Sequence, residues 1–349
     1  VPAKVSPDDF EKQEAAAAET NELKATIRSL LRQNVKLKAS KAELIEAVYR
    51  AAKEAAQGLE IVPVPVPIKD RRRGGAEIAV PLYSDLQLGK ITPDYNSEVA
   101  EERMHLYADK ITRLVGIQRN DHPVRECHVA ALGDIVEGED IFPGQAHLID
   151  ATLYDQILVS GRRISIDFFR RLLGEFDRVR VTWVIGNHGR IGRKGVYDPE
   201  TNADRMLGRL VAYHFEDTGE KRISFEVPDG PHERNWYAII REGAWSALAI
   251  HGDQIRGQYG MPWYGFQKKI NSWAAGAIRE PFGDVLMGHF HQSAKVPLNT
   301  RDVYVNGSLE SYNTYAQENL AAMSDPAQWL LFVDPEKGRV TAPYQVALA

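Results

Sequence analysis

The sequence predicts an α/β domain with two packed sheets, preceded by a long N-terminal helix. Three observations carry this expectation. From residue 77 onward, apolar strand-like runs alternate with helical stretches, and then strands predominate, the pattern of packed sheets flanked by helices. Residues 10–58 contain no proline and a single glycine, Gly58, and place leucine at every seventh position. Between these units lies a short valine-proline spacer.

The first unit, residues 1–60, reads as a helix. Leu23, Leu30, Leu37 and Leu44 form one heptad row, and Ile27, Asn34, Lys41 and Val48 the interleaved one. Leucine at d with a polar Asn at one a position suits a short two-stranded coil that joins two copies of the chain. Leu31 and Ile45 widen the stripe, which suits a helix folded back on a globular partner instead. Residues 61–75, "IVPVPVPIKDRRRGG", form an extended linker, with its boundary set at 76. Its basic cluster, Lys69, Arg71, Arg72 and Arg73, is either a phosphate-backbone contact or a solvated run.

The second unit, 77–349, carries the chemistry. Strands are expected at 77–83, 126–132, 179–185, 236–241, 245–250, 284–288, 302–306 and 329–333. Helices are expected near 97–118, 144–175, 202–216 and 264–278. The whole chain has 349 residues, 26% charged and 44% hydrophobic, with a net charge of −5. That balance is ordinary for a globular protein, so any nucleic-acid contact must use a local basic surface. One cysteine, Cys127, excludes an internal disulfide and a cysteine-rich zinc site. No apolar run approaches the roughly 20 residues of a membrane helix, and the start lacks a signal peptide's apolar stretch. A cytoplasmic, reducing compartment is the expectation.

Polar residues follow the strands in order. The first strand leads into Asp85-Leu86-Gln87 and the second into Gly133-Asp134. The third leads into Gly186-Asn187-His188, a later one into His251-Gly252, and the next into Gly288-His289-Phe290-His291. Ligand-bearing groups at strand ends are how open α/β sheets build sites. Each motif alone is a common turn or cap; the ordered set is specific. Glu137, Glu139 and Asp140, just after Asp134, add negative charge that repels phosphate unless it points away or supports a cation.

On these motifs the sequence resembles the calcineurin-like metallophosphoesterase superfamily, whose usual order is D-x-H, GD, GNH, H and GH-x-H. The resemblance spans 77–291, is to phage and bacterial DNA-processing members, and departs at Gln87, where histidine is usual. It implies a four-layer αββα sandwich of two mixed sheets. It also implies two divalent metal ions, one held by Asp85, Gln87, Asp134 and His291 and the other by Asp134, Asn187, His251 and His289. Asp134 would bridge them, and His188 would face the scissile phosphate as general acid or charge stabiliser. A bacterial or phage-infected cell is the implied setting.

The chemistry agrees with those roles. Two divalent ions roughly 3.5–4 Å apart neutralise phosphate charge and acidify water. Oxygen and imidazole donors suit Mn²⁺, with Fe²⁺ or Zn²⁺ as the other candidates. Gln87 is expected to weaken the first site or shift it toward Mn²⁺, either as a direct ligand or through a hydrogen bond to one. A glutamine here also occurs in the Mn²⁺-dependent ADP-ribose/CDP-alcohol diphosphatase branch.

The implied activity is a two-metal phosphodiesterase, first as a nuclease on DNA or RNA. The alternative is a Mn²⁺-dependent nucleotide-diphosphate or cyclic-nucleotide phosphohydrolase, and a third reading is a scaffold that uses only the coil. Arg190, Arg193 and Lys194, beyond His188, are candidate phosphate contacts, or else a surface loop. Trp263, Tyr264 and Phe266 beside Lys268 and Lys269 suit base stacking, although helical aromatics are more often core. The chain resembles the catalytic subunit of double-strand-break repair nucleases more distantly. The sequence ends soon after the last motif, so their C-terminal DNA-binding cap is not expected within it.

Overall fold

In the computed structural model, the described residues are 64–349 except 68–69, 71, 73, 193, 195–197, 199–200, 228–235, 257–260, 314–316, 319–322 and 324. The expected N-terminal helix, its heptad rows and most of the basic linker lie outside them. Arg72 is described; its guanidinium forks onto Asp70 and reaches the carbonyls of Asn120 and His122.

Apolar residues on both faces mark a central strand. β1 (Glu77–Tyr83) is buried along its whole length. It pairs in parallel with β2 (Val124–Ala131), which pairs in parallel with β3 (Arg178–Trp183), and β3 with β4 (Ile223–Glu226). On its other side β1 runs antiparallel to β10 (Ala327–Asp334), itself paired with β11 (Arg339–Ala347). A second sheet has the order β5-β6-β7-β9-β8. Its strands are β5 (Tyr237–Glu242), β6 (Trp245–Ile250), β7 (Asp284–Met287), β8 (Ala294–Leu298) and β9 (Arg301–Val305). β6, β7 and β9 are mutually parallel, and β5 and β8 antiparallel to their neighbours, so both sheets are mixed.

The two sheets bury one core between them. Val80, Leu82, Trp329 and Leu331 of the first meet Ile240, Ala247, Leu286 and Tyr304 of the second. Helices cover the outer faces. α1 (Ser97–Gln118) starts where the Asn96 side chain accepts from Val99 N. It buries Ala100, Met104, Tyr107, Ala108, Ile111 and Val115, a 3–4 spacing that makes one face. α2 (Arg162–Glu175) sets Phe168 against Tyr83 of β1, ring centroids 5.3 Å apart. α3 (Ala203–Asp217) packs Phe215 on Phe225 of β4. On the other flank α4 (Trp263–Ser272) buries Phe266 and Ile270 against the second sheet. The result is the four-layer αββα sandwich that the motif resemblance implies.

One expected element is shorter than predicted. The stretch 144–175 is not one helix. A single turn at Gln145–His147 is followed by bends and an isolated bridge at Ile149, and helix begins at Leu153. Gly144, at φ 87°, breaks the path. The Asp150 carboxylate accepts from Ser97 N and Oγ, and Lys90 pairs with Ile149 as a β-bridge. Residues 148–152 therefore clamp the loop after β1 instead of coiling. No helix among the described residues is long and apolar enough to cross a membrane.

Candidate metal centre

β1, β2 and β3 are parallel, so Asp85, Gln87, Asp134, Asn187 and His188 all leave the first sheet at one edge. β6 and β7 are parallel, so His251, His289 and His291 leave the second sheet together. Side-chain contacts join the two groups. Five of these residues hold left-handed backbone: Asp85 (φ 54°), Gln87 (51°), Asp134 (52°), His289 (74°) and His291 (55°). Among the described non-glycine residues only Asn299 and Tyr312 share that region. Such strain is tolerated where surrounding bonds over-determine the backbone, and it clusters at functional sites. Here Asp85 N donates to Gly133 O (3.0 Å) and Gln87 N to Asp134 O (3.1 Å). Leu309 N and Ser308 Oγ close on Asp85 O (3.0 and 2.9 Å). The motif glycines let the loops touch. A side chain at Gly186 would collide with Asp134, and one at Gly288 with the Asp85 carboxylate.

Asp134 sits at the centre. Its Oδ1 accepts from His188 N (2.7 Å), and its Oδ2 lies 2.9 Å from His251 Nε2. Donor atoms of Asp134, His251 and His289 all fall within 4.8 Å of one another. Asn187 Oδ1 is 3.1 Å and His289 Nδ1 3.2 Å from His251 Nε2. On the other flank, His291 Nε2 is 3.3 Å from Asp85 Oδ1 and 3.5 Å from Gln87 Nε2, itself 3.5 Å from Asp134 Oδ2.

Supporting groups fix which atoms face inward. Leu132 O takes His251 Nδ1–H (2.7 Å), so Nε2 points at the cluster. Glu310 Oε1 holds His291 Nδ1 (2.5 Å) and is itself held by Lys90 Nζ on Oε2 (2.5 Å). Glu137 Oε2 and its carbonyl lie 3.2 and 3.0 Å from His188 Nδ1, and Gln145 donates to Glu137 Oε1 (3.0 Å). Glu137 is therefore buried against His188 and not turned outward. Asp204, at the start of α3, accepts backbone N–H bonds from Asp134 (2.9 Å), Ile135 (3.0 Å), Val136 (3.3 Å) and Gly186 (2.9 Å). That one carboxylate ties the loop after β2 to the loop after β3.

The donor set fits divalent cations. Gln87 is fully buried, and its Oε1 lacks a hydrogen-bond partner within the protein. An orphaned buried carbonyl oxygen beside a carboxylate and an imidazole is chemically complete once a cation meets it. Protons balance the cluster otherwise. Burial disfavours the His251 imidazolium, but Asp134 outweighs it and holds the group up at about 10. Glu310 and Asp85 likewise carry His291 to about 10 against burial. Burial, with His251 beside it, drives His289 down to about 3. Burial opposes ionisation of Asp134, yet His251 and His188 keep it well below the usual carboxylate range.

Eight of the expected site residues thus meet at one place: Asp85, Gln87, Asp134, Asn187, His188, His251, His289 and His291. The expected phosphate contacts follow His188 in the same loop. Arg190 is half-buried with its backbone bridged to Asn202, and its Nε is buried without a hydrogen-bond partner. Lys194 is exposed, and Arg193 lies outside the described residues. Phe266 is core, as helical aromatics more often are, but Trp263 and Tyr264 are solvent-exposed. Asp204, Glu310 and Lys90 escaped the sequence reading, since none belongs to a motif; Glu137 was visible only as a charge.

No family model and no curated protein matches the chain. Among solved structures, Vps29 from Entamoeba histolytica is similar at 12% identity and TM-score 0.32, covering 78% of this chain and 99% of that one. A predicted phosphoesterase from Streptococcus pneumoniae aligns at 13% identity and TM-score 0.31, over 77% and 98%. A hypothetical protein from Pyrococcus horikoshii aligns at 12% identity and TM-score 0.40, over 78% and 89%. At these identities and scores the likenesses carry nothing about activity; the side chains at the strand ends must do that.

Proposed function

We propose that the chain is a two-cation phosphodiesterase that hydrolyses nucleic acid, with DNA as the favoured substrate. The observation that carries this is the placement of Asp134 between two donor groups, Asp85, Gln87 and His291 on one flank and Asn187, His251 and His289 on the other. Those residues would hold the two cations, with Asp134 shared. Bound there, divalent cations supply charge neutralisation of the phosphate and acidification of water. Mn²⁺ is the proposed ion because the Gln87 amide oxygen is a hard donor.

The protein's own part centres on His188. Glu137 fixes its Nδ1 side, which leaves Nε2 to give a proton to the departing oxygen. Burial works against the imidazolium, but Glu137 and Asp134 outweigh it and raise the pKa, which favours the acid form. The Phe142 ring packs edge-on at 6.5 Å and shields one side of the imidazole. Arg190, Arg193 and Lys194, which follow in the same loop, are proposed to hold flanking phosphates.

Gln87 favours a second reading, a Mn²⁺-dependent phosphohydrolase of nucleotide diphosphates or cyclic nucleotides. One panel separates the two: Mn²⁺-loaded protein offered linear and circular DNA, RNA, ADP-ribose, a cyclic nucleotide and a chromogenic diester. Cleavage of polynucleotides supports the nuclease. Cleavage of small molecules alone overturns it in favour of the second reading. Equal metal content and activity in wild type and His188→Ala would dismiss catalysis at this site.

A further inference from the structure

Trp263 and Tyr264, which open α4, are exposed, at 57% and 77% of their full accessible areas. Large aromatic rings left in water side by side mark a contact surface more often than chance. Their position is set by topology. α4 carries the chain from the end of β6, where His251 sits, back to the start of the parallel strand β7. The first turn of the helix therefore lies at the same sheet edge as the candidate metal centre. Ring contacts mark the route: Trp263 to Phe266 at 6.3 Å, Phe266 to Phe290 at 5.5 Å, and Phe290 to His289 at 5.0 Å. Phe266 is buried and holds this line rigid from beneath. Lys268 follows Tyr264 by one helical turn, on the same face, and Lys269 is exposed beside it.

We infer that Trp263 and Tyr264 form a stacking platform for an unpaired base of a polynucleotide whose phosphate lies at the metal centre, with Lys268 taking a neighbouring backbone phosphate. This rests on the phosphodiesterase reading and names its substrate as single-stranded or locally opened nucleic acid. Flat rings accept any base, so the platform supplies affinity and register without sequence preference. Cations one turn along suit a polyanion better than an apolar protein partner.

The test compares two oligonucleotides of equal length and phosphate number, one with bases and one abasic, both offered to the Mn²⁺-loaded full chain. Wild type should cut the base-bearing strand with the higher kcat/KM. Stacking on an aromatic contributes about 1–3 kcal/mol per base, so Trp263→Ala with Tyr264→Ala should shrink the ratio of the two kcat/KM values by about tenfold or more. Lys268→Gln should weaken both strands together and flatten the salt dependence. A ratio unmoved by the double substitution, with wild type active on both strands, overturns the platform and leaves the phosphodiesterase reading standing; a protein-docking role for these rings gives that result. Wild type inactive on both strands overturns platform and nuclease reading together. Unchanged thermal unfolding of the variants confirms that the comparison is between folded proteins.

Discussion

Glu137 and Glu310 perform one task on opposite flanks of the cluster: each grips the Nδ1 side of a histidine so that the other nitrogen faces inward. Their losses should nevertheless read differently. Glu310→Gln keeps the size but removes the charge that Lys90 and His291 share, so His291 loses its orientation. Removing such a partner of a ligating histidine typically weakens metal affinity by about 10–100-fold. Titration with Mn²⁺ should show that loss at one site of two; two intact sites would contradict His291 as a ligand. Glu137→Gln should leave metal content alone and lower kcat by roughly 10-fold or more, part of the about 10²–10⁴ that a positioned acid supplies. Metal loss together with activity would reassign Glu137. The difference between these two glutamates also explains what a sequence reveals. Asp134 and His289 were legible because a glycine and a strand end flank each of them. Glu137 stood within that motif and read only as a charge. Glu310 follows β9 at no repeated spacing, and nothing in its neighbours announces that His291 will fold onto it.

Elements place these residues, and Asp204 links the elements. Its carboxylate is fully buried and accepts four backbone N–H groups from the loops after β2 and β3. Asn202 adds a bond from its amide to Gly186 O (3.0 Å) while its Oδ1 caps α3. The start of α3 is therefore fastened to both loops that present Asp134 and Asn187. Asp204→Ala leaves those donors without an acceptor and should destabilise the fold by roughly 2–4 kcal/mol. Denaturant unfolding measures this, and a change below about 0.5 kcal/mol would show that water replaces the carboxylate. At this scale the sequence was legible in the interior and dim at the margins. β1, β6 and β10 are buried throughout or nearly so, and their apolar runs announced them. The strands that went unseen, β4, β8 and β11, are all sheet edges. An edge strand has one paired side and mixed exposure, so it lacks the continuous apolar run of a central strand and its polar residues resemble a loop. β8 even carries Pro297, tolerated there because an edge leaves an N–H unpaired.

Across the whole molecule, the candidate ligands divide between the sheets. Asp85, Gln87, Asp134 and Asn187 come from the first, and His251, His289 and His291 from the second. Dimerisation through the heptad leucines is a separate proposal from sequence, and sedimentation of the full chain against one lacking residues 1–60 tests it; an unchanged monomer mass refutes it. The division between sheets has its own consequence. A cation held by both groups would staple the two sheets at one edge, and the apolar core between them is built without it. Saturating Mn²⁺ at a hundred times its Kd should add about 2.7 kcal/mol per site, a rise in Tm of roughly 5 °C, and a chelator should reverse that without unfolding the protein. The gain must depend on pH in one direction. His251 and His291 have pKa values raised to about 10, so both carry protons at neutral pH. A cation must displace those protons, and at fixed free Mn²⁺ its affinity falls by up to about tenfold per proton for each unit of pH lowered. The Mn²⁺-induced rise in Tm should therefore be large at pH 8.5 and shrink by pH 6, with proton release detectable calorimetrically in buffers of different ionisation enthalpy. A Tm indifferent to Mn²⁺ at both pH values would mean that the strand-end side chains hold each other and no metal.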